Sequence, residues 1–146
     1  MKVISVNISD RKGIPKTPVD EIKLIPGGIV GDAHFAPGKR EVSLLAKESY
    51  DRFEKLGLGK VCLKHGIFGE NIVTEGIELH TMNVGTKMKI GDALLEVTQI
   101  GKECHAPCHI ARTVGSCIMP NEGIFVKVLE KGIIKSNDCI EISKIY

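Results

Sequence analysis

The chain has 146 residues, of which 42% are apolar and only 4% aromatic, and it contains no tryptophan. A chain of this length usually forms one domain, so we expect a single domain over residues 1–146 with a core that needs no disulfide bonds. The 20 basic and 18 acidic side chains nearly cancel, leaving a net charge of +2. This composition argues against partners such as nucleic acid or a membrane surface.

The cysteine content is high for a chain that shows no sign of export. The first residues, Met1–Val6, alternate like a strand, and no apolar segment has the length of a signal sequence or a membrane span. We therefore expect a cytoplasmic protein. Because thiols stay reduced in the cytoplasm, the five cysteines indicate metal, redox or sulfur chemistry rather than a disulfide framework.

Short β-branched runs between glycine-rich turns predict a mainly β fold, a sandwich or a barrel with a few short helices. Arg11–Pro18 is expected to be an exposed loop. One amphipathic helix is predicted over Ala46–Leu56, and a second begins at Pro107 and ends before Gly115. The predicted strands are Val3–Ile8, Glu21–Leu24, Val42–Leu45, Asn71–Val73, Lys87–Ile90, Leu94–Ile100, Phe125–Leu129 and Cys139–Ile142.

The segment 101–112 concentrates reactive side chains. Cys104 and Cys108 lie among cations and imidazoles, Lys102, His105, His109 and Arg112. Nearby cations and a helix N-terminus favour the thiolate, which can attack a sulfane sulfur and hold it as a persulfide, or enter disulfide exchange. The plainer interpretation is that these cysteines are small buried apolar residues.

A metal site is the second interpretation of this segment. Cys104, His105, Cys108, His109 and Cys117 are all soft ligands that suit zinc or an iron–sulfur cluster. Their spacing is not the paired Cys-x2-Cys of common zinc modules, and all of them come from one short segment. We therefore assign no metal ligands and keep the structural metal site as an alternative.

Two glycine-rich segments carry further candidates. In the first, 27–34, Asp32 and His34 have the chemistry to position or protonate a ligand, and Arg40 beyond it suits an oxyanion. In the second, 65–72, Glu70 and Asn71 fall at a strand start, where side chains can project into a site. From spacing alone, ordinary turn formation is the more common explanation of both segments.

The motifs taken together, in their order, resemble the MOSC domain, the C-terminal domain of molybdenum cofactor sulfurases, in its small stand-alone bacterial form. The matching residues span nearly the whole chain: Gly28-x-x-Gly31-Asp32-x-His34, Arg40-x-Val42-Ser43-Leu44-Leu45, Glu48, Gly66-x-Phe68-Gly69-Glu70-Asn71-Ile72, Thr74-Glu75-Gly76-Ile77, Val84-Gly85, Ile90-Gly91, Leu95-Glu96-Val97-Thr98-Gln99, Cys104, Glu122-Gly123-Ile124-Phe125 and Asn137-Asp138.

The resemblance implies a MOSC-type β-barrel and a cysteine, Cys104 by motif position, that carries sulfur as a persulfide to molybdenum cofactor (molybdopterin). On this hypothesis Cys108 or Cys117 resolves the persulfide. Lys102, His105 and Arg112 keep the sulfur anionic and anchor the acceptor. The pterin side of the pocket is lined by Asp32, His34, Arg40, Glu70 and Asn71.

The same resemblance implies the partners of the reaction. These are a sulfur donor of the cysteine desulfurase type and a molybdenum enzyme or free cofactor as acceptor. Pyridoxal phosphate enters only through the partner desulfurase, because this chain shows no lysine motif for it. The alternative is a module that binds molybdopterin or an oxyanion without sulfur chemistry.

Overall fold

The computed structural model describes residues 1–57, 63–102 and 109–143. Eleven strands and three α-helices lie in these ranges, with a 3₁₀ turn at Leu79–Thr81. The strands are β1 (Lys2–Ile8), β2 (Thr17–Val19), β3 (Glu21–Ile25), β4 (Gly28–Ile29), β5 (Val42–Ala46), β6 (Ile72–Glu75), β7 (Lys87–Ile90), β8 (Ala93–Ile100), β9 (Ile124–Glu130), β10 (Gly132–Lys135) and β11 (Ile140–Ser143). The helices are α1 (Lys47–Lys55), α2 (His109–Val114) and α3 (Met119–Glu122).

The strands form one large and one small sheet. The large sheet has eight strands in the order β11-β7-β8-β9-β5-β6-β1-β2, and the small sheet has the order β10-β3-β4. All neighbours are antiparallel except β5 and β6, which run parallel because α1 and the following segment connect them. Strands β5, β6 and β9 therefore lie side by side in the middle of the large sheet.

The prediction of a mainly β fold is confirmed, but among the described residues the hydrogen-bonded ladders do not close into a barrel. The large sheet curls so that the start of β1, which β2 does not pair, comes close to the start of β11 at the opposite edge. One isolated bridge joins Lys2 at the start of β1 to Cys139, just before β11. No helix in the described part of the chain is long and apolar enough to cross a membrane.

Two separate hydrophobic clusters cover the two faces of the large sheet. Adjacent residues of β5 show the division, since side chains alternate between the faces of a strand. Leu44 belongs to the larger cluster, and Leu45 belongs to a smaller one that packs under α1 and α2. The smaller cluster contains three residues that matter for the site, Phe68, Ile110 and Phe125.

The long predicted elements are observed within one or two residues. Gly57 follows the C-cap residue of α1, Leu56, and has a positive φ of 64°, as predicted for a residue in this position. Helix α2 is described from His109 onward, so its predicted start at Pro107 lies outside the described residues. The short strands β2, β4 and β10 and helix α3 were not predicted. The expectation of an exposed loop over Arg11–Pro18 is wrong at its end, where β2 pairs with β1 and Lys16 is buried.

Candidate functional site

A pocket of about 160 Å³ opens where the ends of β5, β8 and β9 meet the two glycine-rich segments. It brings together residues that are far apart in the sequence. Its polar lining comes from four of the predicted site residues, His34, Arg40, Asn71 and Lys102, joined by Ser43. Its apolar lining is Ile14, Phe68, Ile110 and Phe125, and Gly13 and Gly69 complete the wall.

The guanidinium of Arg40 is held in place from two sides. Its Nε donates to Oε1 of Gln99 at 3.0 Å, and its Cζ lies 5.3 Å from the centroid of the Phe125 ring. Stacking on an aromatic face and one fixed N–H leave the two terminal nitrogens as a planar pair of donors. This geometry suits an oxyanion such as a phosphate or carboxylate.

Lys102 lines the same pocket directly after the end of β8. The chain turns at Gly101, whose φ is +68° and where a Cβ would meet the carbonyl oxygen of Pro120 at 2.3 Å. Backbone hydrogen bonds from Gly101 to Gly123 and from Lys102 to Pro120 fix this turn. Cys104 follows two residues later and, like His105 and Cys108, lies outside the described residues.

His34 reaches the pocket from a buried charged cluster. The Nζ of Lys16 donates to Oδ1 of Asp32 at 2.7 Å, to Oγ of Ser9 at 3.0 Å, and lies 3.0 Å from Nδ1 of His34. Asp32 also accepts from the backbone N–H groups of Ser9 and His34. Burial alone would raise the pKa of Asp32, but the hydrogen bond and charge of Lys16 and these two N–H donors hold it below its usual value.

The pKa of His34 is lowered for related reasons. Burial disfavours the imidazolium, and the positive charge of Lys16 acts in the same direction, while the charge of Asp32 opposes them. Lys12 and Lys102 lower the pKa further. His34 is therefore a neutral imidazole at neutral pH, and Asp32 acts behind it rather than in the pocket lining.

Comparison with family models decides the classification. The model of the MOSC domain matches residues 30–141, which is most of the chain and includes His34, Arg40 and Lys102. The chain belongs to the MOSC domain family. The family is associated with molybdenum cofactor sulfurase-like proteins. A comparison with curated proteins finds no match.

Solved structures with this MOSC fold are distant in sequence. The YuaD protein from Bacillus subtilis matches with a TM-score of 0.77 and 20% identity, covering 97% of this chain and 94% of that one. YiiM from Geobacillus stearothermophilus has a TM-score of 0.74 and 20% identity, with coverage of 98% and 75%. YiiM from Escherichia coli has a TM-score of 0.66 and 20% identity, with coverage of 100% and 71%. At this identity the likeness shows the fold.

Asn71 forms the floor of the MOSC pocket, with its side chain engaged by neighbouring strands. Its Oδ1 accepts from the backbone N–H and the hydroxyl of Ser43, both at 3.1 Å, and its Nδ2 donates to the carbonyl of Asn7. The amide therefore ties β1 and β5 to the start of β6. Its contribution to a ligand is the shape and polarity of the floor.

Glu70, in contrast, faces away from the pocket and is completely buried. Its carboxylate accepts from the hydroxyl of Tyr50 and from the backbone N–H groups of Gly66 and Phe68 at 3.2 Å. Burial raises the pKa of Glu70 to about 7, although these hydrogen bonds act to lower it. The structure thus places Glu70 behind the loop 66–69, whose conformation it holds.

The remaining predicted site residues of this MOSC domain lie outside the pocket lining as described. Arg112 is exposed on α2, and Cys117 is half-buried against the smaller hydrophobic cluster. The described residues contain no group of three or more histidine, cysteine or acidic side chains that could hold a metal ion. Because Cys104, His105 and Cys108 lie outside those residues, the structural metal site stays an untested alternative.

Sequence patterns did not reveal Lys16, Gln99 or Phe125 as part of the site. Lys16 sits in a segment with two prolines and a second lysine, which is typical of an exposed loop. The sequence pattern predicts only that Gln99 and Phe125 belong to strands. The only available signal was position, because Gln99 ends a strand directly before the cysteine segment.

Proposed function

We propose that this protein is a sulfur carrier that holds sulfur as a persulfide on Cys104 and passes it to molybdenum cofactor. The supporting observation is the pocket in which Arg40, Lys102 and His34 converge. Cys104 follows Lys102 by two residues in the sequence, so the covalent chain links the thiol to this pocket. The family association supports the same acceptor.

The charges of the pocket suit both sulfur and acceptor. Thiolates and persulfides are anions that neighbouring cations stabilise, which also makes the thiolate available at neutral pH. The acceptor carries a phosphate and a dithiolene, and the planar donor pair of Arg40 and the ammonium of Lys102 fit such anionic groups. The floor around Asn71 and Ser43, whose side chains bond to each other, offers a polar surface of fixed shape for the pterin.

The first step is loading by a donor of the cysteine desulfurase type. The Cys104 thiolate attacks the terminal sulfur of the donor's persulfide, and a new S–S bond forms on Cys104. The S–S bond of the donor breaks, and the donor's cysteine leaves as a thiolate. This exchange has no net change in oxidation state, and the pyridoxal phosphate that generates the persulfide belongs to the partner.

The second step releases the sulfur. The thiol of Cys108 or Cys117 attacks the Cys104 sulfur, and its proton goes to the departing terminal sulfur. That sulfur leaves with the bonding electron pair as hydrosulfide, which the acceptor takes up. The two cysteines are oxidised to a disulfide while the sulfane sulfur is reduced, and a dithiol reductant restores both thiols before the next cycle.

The test is persulfide loading of the full chain by a cysteine desulfurase and cysteine, measured as cyanide-releasable sulfur and located by mass spectrometry. Wild type is expected to carry one sulfane sulfur on Cys104, and Cys104→Ser is expected to carry none. Cys139→Ser is the matched control, because Cys139 is exposed and lies outside the pocket lining. Equal loading of Cys104→Ser and wild type would overturn the proposal.

The same variants separate sulfur transfer from binding alone. Molybdopterin affinity that survives Cys104→Ser, without any loading of the wild type, would identify an oxyanion-binding module instead. The observation that favours this alternative is the fixed guanidinium of Arg40. Both the sulfur carrier and the binding module require the guanidinium of Arg40. The two functions differ only in whether Cys104 carries sulfur.

A further inference from the structure

The cluster behind His34 contains an ammonium whose donors are all used. Lys16 and Asp32 have side chains that are 1% exposed, so neither is solvated by bulk water. Lys16 donates to three acceptors, Oγ of Ser9, Oδ1 of Asp32 and Nδ1 of His34, at 2.7–3.0 Å. Three donors meet three acceptors, and the ammonium has no lone pair with which to accept a hydrogen bond.

This geometry determines the protonation of the imidazole. A protonated Nδ1 would point its N–H at the Lys16 ammonium, placing two donors against each other at 3.0 Å. Nδ1 must therefore accept, and the ring proton of a neutral imidazole must then reside on Nε2. Because Lys16 occupies Nδ1, Nε2 is the ring nitrogen that remains for a ligand in the pocket that His34 lines.

We infer that Lys16 is a positioning residue that holds His34 as the neutral Nε2–H tautomer, so that the pocket presents a hydrogen-bond donor to its ligand and not a base. The ligand class is an anionic oxygen or sulfur group, which would accept from Nε2 while Arg40 and Lys102 supply charge. That assignment of ligand rests on the proposed function, whereas the tautomer is a property of the ligand-free chain.

The charges that face His34 agree with this role. Burial lowers the pKa of His34 most, and Lys16, Lys12 and Lys102 lower it further by repelling the imidazolium, whereas the charge of Asp32 raises it. Asp32 Oδ2 lies 3.8 Å from Nδ1, so without Lys16 it would become the partner of a protonated ring. Lys16 thus selects between two states of His34, a neutral donor and an imidazolium paired with Asp32.

The placement of Lys16 depends on the loop that also shapes the pocket. Its backbone N–H donates to the carbonyl of Gly66 at 2.7 Å. A Cβ at Gly66 would meet the Lys16 carbonyl oxygen at 2.3 Å, so the two backbones are in direct contact. Lys16 is therefore held at two points, its backbone by this loop and its ammonium by Asp32.

The direct test is long-range ¹H–¹⁵N correlation spectroscopy of the imidazoles of ligand-free wild type near neutral pH, with His34 assigned by His34→Gln. The expected spectrum shows Nε2 protonated and Nδ1 bare. An Nδ1–H tautomer or an imidazolium at this pH would overturn the inference. Because this arm uses wild type, it decides the inference even if a variant fails to fold.

The second arm is Lys16→Met, which keeps an apolar stem and removes the charge. The pKa of His34 is expected to rise by about one pH unit, because Asp32 then faces Nδ1 without Lys16 between them, and Nδ1 is expected to become protonated. His65 is the internal control, since burial and then Lys47 lower its pKa and Lys16 does not. An unchanged His34 titration would contradict the inference, and simple loosening of the fold would also move His65.

These spectra are recorded without sulfur donor or acceptor. Failure of the loading experiment would therefore leave the tautomer result standing. An imidazolium or an Nδ1–H tautomer in wild type would overturn the inference and leave the sulfur-carrier proposal unaffected. Binding of inorganic phosphate as a probe, followed through the Nε2 shift of His34, tests the ligand class: a shift supports an anion at Nε2, and no shift at saturation excludes one there.

Discussion

At the scale of single residues, the buried pair of Tyr50 and Glu70 lies immediately behind the pocket. The hydroxyl of Tyr50 contacts both Oε2 of Glu70 and the carbonyl oxygen of Lys64. The ring keeps its place by edge-to-face packing on His65 and Phe68. A proton on Glu70 can donate to Tyr50 while Tyr50 donates to Lys64, so both protonation states have a complete set of partners.

We predict that Tyr50→Phe destabilises the protein more at high pH than at low pH. The folded pKa of Glu70 is about 7, above the ordinary 4.5, so folding takes up a proton between these values and stability falls as pH rises through them. Losing a hydrogen bond to the carboxylate costs about 1.5–3 kcal/mol, and less when Glu70 is protonated. Urea unfolding at about pH 5.5 and about pH 8.5 measures the difference.

The double variant Tyr50→Phe with Glu70→Gln serves as the control, because it has no carboxylate to titrate. Its stability relative to Glu70→Gln alone is expected to be independent of pH in this range. Equal losses for Tyr50→Phe at both pH values would show that the hydroxyl does not interact with an ionised Glu70.

At the scale of elements, the turn 66–69 joins the pocket to its support. Gly66 has a φ of +92°, and its backbone N–H donates to Glu70 while its carbonyl accepts from Lys16. Gly69 has a φ of +83°, and a Cβ added there would lie 3.1 Å from Cδ1 of Ile110, which also lines the pocket. The glycines allow a left-handed backbone and a close approach that other residues oppose.

We predict that Gly66→Ala costs more stability than Gly31→Ala. Both glycines have similar φ values, +92° and +86°. The left-handed backbone is therefore expected to lower the free energy of unfolding of both variants by about 1–2 kcal/mol. Only at Gly66 does the added Cβ meet a backbone atom, the Lys16 oxygen at 2.3 Å, whereas no described atom lies within 4 Å at Gly31. The expected additional loss is about 1–3 kcal/mol by urea unfolding. Equal losses would mean that the Lys16 backbone shifts freely.

At the scale of the whole molecule, the large sheet separates two cores with different relations to the pocket. The larger cluster fills the space between the large sheet and the small sheet. The smaller cluster lies under α1 and α2 and shares Phe68, Ile110 and Phe125 with the pocket wall. Strand β5 contributes one leucine to each cluster, and both leucines are fully buried.

We predict that Leu44→Ala and Leu45→Ala destabilise to a similar degree but differ at the pocket. Each removes a buried leucine side chain and is expected to cost about 2–5 kcal/mol. Leu45→Ala leaves its cavity in the cluster that supports Phe125, on which Arg40 stacks. It should therefore shift the Arg40 Nε and His34 signals in ¹H–¹⁵N spectra, and Leu44→Ala should leave them in place. Equal shifts in both variants would contradict this division of the core.

Local patterns were sufficient for the long elements. The helix α1 follows from one apolar face and a terminal glycine, and β1, β7 and β8 follow from alternation bounded by turn residues. The strands β2 and β4 were missed because two or three residues carry too little periodicity, and β10 was missed because its sequence, Gly132–Lys135, does not alternate between polar and apolar residues. They exist because neighbouring strands supply their hydrogen bonds.

The sequence alone determined the class of fold, the family and the chemical candidates, because those depend on residue identity and order along the chain. Only the tertiary structure decided which candidates meet. It gathers Arg40, Lys102, Asn71 and His34 around one pocket, and it places Glu70 and Asp32 behind the pocket walls. It also buries Lys16, which looked like a loop residue, against Asp32. Burial of a charge depends on partners distant in sequence, and no local pattern encodes them.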